Sequence, residues 1–160
     1  MPEFDQLLSI IRSVAKGDVS VDEQATPKAV KLSAQDLVFV CTELQQNSAT
    51  YFDMLSCLTG LDNGTQAGTV EVIYNLYSIP FNVSLMLKVT LPRDNPEVET
   101  VSHLWKTANW HEREAFDMYG IKFLNHPDLR RILMPADWDG HPLRKDYKQQ
   151  EYYRGIKVEY

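Results

Sequence analysis

Thr69-Val70-Glu71-Val72-Ile73-Tyr74-Asn75-Leu76-Tyr77, followed past Pro80 by Asn82-Val83-Ser84-Leu85-Met86-Leu87-Lys88-Val89-Thr90, is the stretch on which the fold turns. Val70, Val72, Tyr74 and Leu76 alternate with more polar neighbours, as do Val83, Leu85, Leu87 and Val89. Period two over that length predicts two strands, each with one apolar face. Pro80 lies in the short connection and predicts an antiparallel hairpin. Asp62-Asn63-Gly64 marks a turn before it, so Tyr51–Leu58 reads as a third strand.

Upstream, the period changes to that of a helix. Phe4, Leu7, Leu8 and Ile11 form one stripe, with Gly17 as a stop signal. Val19–Val21 and Ala29–Leu32 are short β-prone pieces split by a turn at Thr26-Pro27. Ser33 with Asp36 resembles a capping box opening a second helix, whose stripe is Leu37, Val40, Cys41 and Leu44. Downstream, Asn95 and Pro96 predict a helix start, with Val98, Val101 and Trp105 on its inner face. A further helix runs from about Trp110 to Gly120. Helices and strands segregate along the chain, so the expected fold is α+β: helices on a mixed or antiparallel sheet in two layers, residues 1–120.

After Gly120 the periodicity fades, and Pro127, Pro135 and Pro142 interrupt the chain. The last twenty residues hold Tyr147, Tyr152, Tyr153 and Tyr160 among Arg144, Lys145, Lys148, Arg154 and Lys157. Too few aliphatics remain for a separate core, and Tyr and Arg are side chains that anchor interfaces. Residues 121–160 are therefore expected to form an extended, partner-binding C-terminal arm. Residues 1–120 carry 8 basic and 16 acidic side chains and residues 121–160 carry 8 and 6, so the net charge of −6 divides into −8 and +2. An acidic body argues against nucleic acid as the partner.

Catalytic constellations are missing from the sequence. It has neither a dinucleotide-binding glycine fingerprint nor a phosphate loop. Of His103, His111, His126 and His141, only His111-Glu112 begins like a zincin motif, and Ala115 stands where its second His would be. Cys41 and Cys57 lack metal-ligand spacing and read as two buried thiols in a reducing compartment. No secretory signal is expected from Met1-Pro2-Glu3-Phe4-Asp5, and Val83–Leu91 is too short and polar to span a bilayer.

Two polar clusters remain. In the first, Glu112-Arg113-Glu114 and Asp117, Glu114 and Asp117 fall on one helix face with Trp110, and Arg113 stands four residues before Asp117, where it could neutralise it. Paired carboxylates can act as acid and base; the plainer reading is an ion-pair network fixing this helix to a neighbour. The second is His126-Pro127-Asp128-Leu129-Arg130-Arg131-Ile132-Leu133. Its adjacent arginines could point one guanidinium at a partner and one at the chain's own carboxylate. A phosphate site would need a glycine-rich turn that is absent.

Together, Trp110–Ile121, Phe123 and His126–Leu133, with Asp137-Trp138-Asp139-Gly140-His141-Pro142-Leu143-Arg144-Lys145-Asp146-Tyr147, resemble the signature of the C-subunit family of proton-translocating NADH:quinone oxidoreductase, respiratory complex I. Asn125 replaces a frequent glycine, keeping a left-handed turn possible, and Lys148 replaces a frequent proline. The resemblance implies the stand-alone form of a cofactor-free structural subunit of the peripheral arm, with FMN and iron–sulfur clusters in partner subunits. It implies packing against the large quinone-site subunit at the cytoplasmic face of the bacterial inner membrane, touching the membrane only through the complex. It implies contacts between subunits or network support, not catalysis, for Glu112, Arg113, Glu114, Asp117, His126, Arg130, Arg131, Arg144 and Tyr147. The alternatives are an equivalent subunit of an energy-converting hydrogenase or plastoquinone-reducing complex, and a hydrolase using Glu114 and Asp117.

Overall fold

A computed structural model describes residues 2–158; Tyr160 of the expected arm lies outside them. In chain order the elements are α1 (Phe4–Val14), β1 (Ser20–Asp22), β2 (Ala29–Leu32), α2 (Leu37–Gln46), β3 (Met54–Asp62), β4 (Thr69–Ser78), β5 (Val83–Pro92), β6 (Glu97–Glu99), α3 (Ala108–Tyr119), β7 (Lys122–Leu124), β8 (Tyr152–Tyr153) and β9 (Ile156–Lys157). Helices over a mixed sheet give the α+β class that the segregated pattern predicts.

The hairpin β4–β5 is the centre of a five-stranded sheet ordered β1-β2-β5-β4-β3. Its register sets Val72 against Val89, Tyr74 against Leu87 and Leu76 against Leu85. The inward set of each strand thus lies on one face, and every one of these side chains is buried. β2 joins β5 in parallel, placing Val30 beside Leu87 and Leu32 beside Val89. β3 pairs antiparallel with β4, with a register shift between Leu55 and Cys57. The shift inserts a residue, so Leu55 and Leu58 both point inward despite odd spacing, and Cys57 is turned to the outer face opposite Asn75. Cys57 is therefore half-buried, while Cys41 is buried as expected.

α1 and α2 cover the inner face with Leu7, Leu8 and Ile11, and with Leu37, Val40, Cys41 and Leu44. Each buried aliphatic contributes on the order of 1.5–3 kcal/mol relative to exposure. Ser33 and Asp36 do not form the expected capping box. The Asp36 carboxylate accepts the backbone N–H of Lys16 and Gly17 and the Ser33 hydroxyl, so it ties the end of α1 to the start of α2. These contacts, the Lys16 N–H first, hold its carboxyl below the usual range.

The expected helix after Asn95-Pro96 is absent. Glu97–Glu99 is instead the strand β6, parallel to β7, with Val98 beside Phe123. Pro96 begins no helix because its carbonyl accepts the Lys122 N–H, committing the segment to sheet pairing. Val98 and Val101, which the spacing assigns to a helical stripe, are buried from strand and turn. α3 stands against β3, where a Cβ on Gly60 would come 2.5 Å from the Tyr119 ring. Only a glycine lets the helix approach that strand so closely. α3 ends as predicted, at Gly120 in the left-handed conformation (φ 74°). Asn125 is also left-handed (φ 61°), as its tolerance for that region allows.

Candidate functional site

The chain after Gly120 folds back over α3 and the end of β3, and three buried carboxylates mark the junction, Asp117 and Asp62 holding the returning chain. Glu112 is the first. It lies on the inward side of α3 and is fully buried. It accepts the Thr100 hydroxyl and, at 2.8 Å, the Val101 N–H, joining α3 to the segment after β6. The imidazole of His126 stands 3.7 Å away. That ring is neutral by its own bonding: Nδ1 accepts the Asp128 N–H, and Nε2 donates to the Asn109 carbonyl. Burial lowers its pKa further. With no cation paired to it among the described residues, Glu112 is pushed by desolvation up to about 7, against the lowering effect of Thr100 and Val101.

A raised carboxyl pKa has a signed consequence. Between the ordinary 4.5 and about 7 the folded state binds more protons than the unfolded one, so stability falls as pH rises through that window. The Glu112 contribution reaches about 3 kcal/mol. Glu112→Gln keeps the shape and removes the titration, so its urea-unfolding free energy should lack this decline between pH 4.5 and 7. An equal slope in both proteins would exclude Glu112 as its source.

Asp117 is the second carboxylate, also fully buried. One oxygen accepts Arg131 Nη1 at 3.0 Å. The other accepts three consecutive backbone N–H groups: Ile132 at 3.0 Å, Leu133 at 2.7 Å and Met134 at 2.9 Å. Arg131 also donates to the Gly140 carbonyl. The expected neutralisation of Asp117 by Arg113 does not occur. Arg113 Nε turns to the Arg130 carbonyl, and its guanidinium lies 5.0 Å from the Trp110 ring centre. Nor do Glu114 and Asp117 form an acid/base pair: Glu114 is exposed while Asp117 is buried. An i, i+3 step at the edge of the buried face separates them.

The third carboxylate, Asp62, and its partner Arg93 have no counterpart among the residues that the sequence singles out, where Asp62 is only part of a turn. Asp62 accepts Arg93 Nε and Nη2 at 2.9 and 3.0 Å in a bidentate pair. It also accepts the N–H of Gly64 and, across 83 residues, of Lys145. Asp146 joins Arg93 from outside. Arg93 first, then the two amides, hold the Asp62 carboxyl far below the usual range. The one signal in the sequence is the alternation of β3, which continues through Gly60 to put Asp62 on the inner face.

Three residues from the basic end complete the junction. Arg144 Nε donates to the Tyr119 carbonyl at 2.7 Å. The Tyr147 hydroxyl accepts Trp138 Nε1 at 3.0 Å. His141 Nδ1 donates to the Asp117 carbonyl at 2.9 Å, and its ring covers Gly120 so tightly that a Cβ there would lie 2.6 Å from Nε2. Gly120→Ala therefore combines left-handed strain of about 1–2 kcal/mol with displacement of His141. A loss of about 3 kcal/mol in urea unfolding is the expected result; a change under about 1 kcal/mol would show the ring free to move.

The surface left outside this framework is specific. Trp110 is 64% exposed. The Arg130 side chain is 73% exposed, paired only with Asp128 among the described residues. Leu133 is exposed next to the amides that bind Asp117. Arg113 links Trp110 to Arg130, so aromatic and guanidinium groups share one flank of α3. Among the described residues no group of three or more His, Cys, Asp or Glu is placed to hold a metal ion. Among the same residues no helix is long and apolar enough to cross a membrane.

The family profile described as "Respiratory-chain NADH dehydrogenase, 30 Kd subunit" matches residues 30–153. Similar proteins include the C subunit of the NADH-quinone oxidoreductase of Chloroherpeton thalassium, 49% identical over 73% of this chain and 48% of that protein. The corresponding C subunit of Chlorobium phaeobacteroides is 50% identical over 68% and 66%, and that of Geobacter metallireducens 44% identical over 79% and 80%. The chain thus spans about half the length of the first of these relatives. Among solved structures, the trypsin-resistant fragment of Nqo5 superposes with a TM-score of 0.59 at 27% identity, over 78% of this chain and 98% of that one. A chain of an archaeal membrane-bound sulfane sulfur reductase gives 0.73 over 90% and 85%, at 18% identity, which shows the shared fold alone.

Proposed function

This chain belongs to the family of the 30 kDa subunit of the respiratory-chain NADH dehydrogenase, and from that premise we propose that it is a non-catalytic assembly subunit of NADH:quinone oxidoreductase. In this reading it sits in the peripheral arm, packs against the large quinone-site subunit, and supports electron transfer from NADH to quinone coupled to proton translocation. It binds no cofactor; FMN and iron–sulfur clusters belong to its partners. It reaches the cytoplasmic face of the bacterial inner membrane through them, the exposed side chains of residues 121–160, Arg130 and Leu133 among them, lying on a neighbour. The related quinone oxidoreductase subunits favour this over a place in a hydrogenase.

The observation that carries the reading is the division of labour on α3. Its inward carboxylates, Glu112 and Asp117, are occupied by contacts within the chain. Its outward flank instead offers Trp110, which lies against the buried Arg113, with the exposed Arg130 alongside. Trp and Arg are the residues in which binding energy concentrates at interfaces. Arg131, by contrast, is held by Asp117 and serves the chain's own fold.

Trp110→Ala and Arg130→Ala, introduced in the source cells, test this. Loss of an interface anchor of about 1–2 kcal/mol lowers the amount of assembled complex on the order of tenfold. NADH:quinone turnover per assembled complex should stay unchanged. Full assembly with turnover lost would overturn the reading.

A further inference from the structure

An open groove of about 900 Å³ lies between α2 and the turns after β6 and β7, lined mainly by apolar surface that includes Phe39, Val38 and Pro127. Thr100 and Ser102 also line it. Behind them is Glu112. We infer that Glu112 is a buried proton-binding site that exchanges with solvent through a two-hydroxyl relay, Thr100 then Ser102, opening into this groove.

The hydrogen-bond pattern carries the inference. Thr100 Oγ1 touches both the Glu112 carboxylate and, at 2.8 Å, Ser102 Oγ. It also accepts the Ser102 N–H at 3.1 Å. A threonine hydroxyl has one proton and cannot donate to both oxygens. When Glu112 is ionised, Thr100 donates to it and Ser102 donates to Thr100. When Glu112 is protonated, its O–H donates to Thr100 and Thr100 donates to Ser102. Both states keep every bond of the chain and reverse its direction. Release then moves three protons one step each: from Glu112 Oε2 to Thr100 Oγ1, from Thr100 to Ser102 Oγ, and from Ser102 to a groove water. Three O–H bonds break, three form, and Glu112 is left as carboxylate.

The surroundings hold the proton rather than a counter-ion. Among the described residues, the one ion-pair neighbour of Glu112 is His126, kept neutral by the Asp128 N–H on its Nδ1. Asp128 and Arg113 act on that imidazole with opposite sign. From β4, Tyr74 faces the cluster with a buried hydroxyl that has no hydrogen-bond partner among the described residues, and the buried thiol of Cys41 on α2 stands behind it. Arg113, the one cation among these groups, is turned to the Arg130 carbonyl and the Trp110 ring and forms no ion pair with Glu112 among the described residues, so burial favours the protonated carboxyl. The inference concerns this chain alone and stands independently of its assembly.

Infrared spectroscopy of the full chain tests it. The protonated-carboxyl stretch should be present about one pH unit below the midpoint, disappear with a midpoint of about 7, and be missing from Glu112→Gln. After a pH jump, Thr100→Val should slow the decay of that band about tenfold or more, as removal of a positioned proton carrier implies. Ser102→Val, which replaces the outer hydroxyl with methyls, should slow it likewise and decides the matter should Thr100→Val fail to fold. Absence of the band on the acid side of the midpoint would overturn the proton site. An unchanged rate in the folded variant would overturn the relay.

Discussion

Asp117→Ala should cost about 3–5 kcal/mol in urea unfolding, the range found when one member of a buried pair is removed. The substitution leaves Arg131 without its carboxylate and deprives the N–H groups of Ile132, Leu133 and Met134 of their shared acceptor. An unmet buried donor costs about 1–3 kcal/mol. Residues 130–134 can recover part of that by leaving α3 for water, so the total stays below the sum of the single contacts. The departure itself is measurable. Amide exchange at Ile132, Leu133 and Met134 should accelerate far more than at the β4–β5 hairpin. Asp117→Asn keeps one carbonyl oxygen for the amides and loses the charge, and should fall between the parent and Ala. Unchanged exchange in Asp117→Ala would mean that the loop is held by its other contacts.

Asp62→Ala should be comparably severe, again about 3–5 kcal/mol. Its guanidinium partner is nearly enclosed, and Asp62 accepts it through two parallel bonds. Without them Arg93 keeps only the outer carboxylate of Asp146, and the Lys145 amide loses its anchor on β3. The acid limb of the stability profile provides a second check. A depressed carboxyl contributes stability that is present above its unfolded pKa and lost as pH falls toward the folded value. The parent should therefore weaken steeply below about pH 4, the ordinary Asp range. Asp62→Ala, already weaker at neutral pH, should show a shallower decline. A parallel profile would assign the acid sensitivity to other carboxylates.

What can be read from the sequence divides along physical lines. The hairpin is legible because Val70–Leu76 and Val83–Val89 alternate without interruption, and one face of a sheet demands that alternation. α1, α2 and the end of α3 are legible for similar local reasons: helical stripes and a glycine stop. β3 reads too far toward Tyr51 because the irregularity after Leu55 breaks the alternation on which its placement depends. Glu97–Glu99 reads as helix because Asn-Pro is a local start signal, whereas β6 exists through pairing with β7, more than twenty residues away. Pairing partners that distant leave no mark in a local window.

The candidate site shows the same division. Glu112, Asp117 and Arg131 stand out because they fall in the two dense polar clusters, and the sequence offers each arginine a carboxylate within the chain or beyond it. The choice of partner is not legible. Arg113 is four residues from Asp117 and meets the Arg130 carbonyl, while Arg131, fourteen residues away, takes the ion pair. Helix geometry places Arg113 within reach of Asp117, but the returning segment supplies three amides that the same carboxylate binds together. Asp62 and Arg93 escape notice entirely, because nothing in an Asp-Asn-Gly turn tells that the end of the chain will return to it.

The most direct test of the proposed role is affinity capture of the tagged full chain from detergent-solubilised membranes of its source cells, with mass spectrometry and an NADH-oxidation assay on what is recovered. Co-recovery of flavin and iron–sulfur subunits in fixed proportion, with NADH-dependent quinone reduction, is the expected result. Recovery of the chain alone, or with a nickel-containing hydrogenase set and no NADH oxidation, would contradict it.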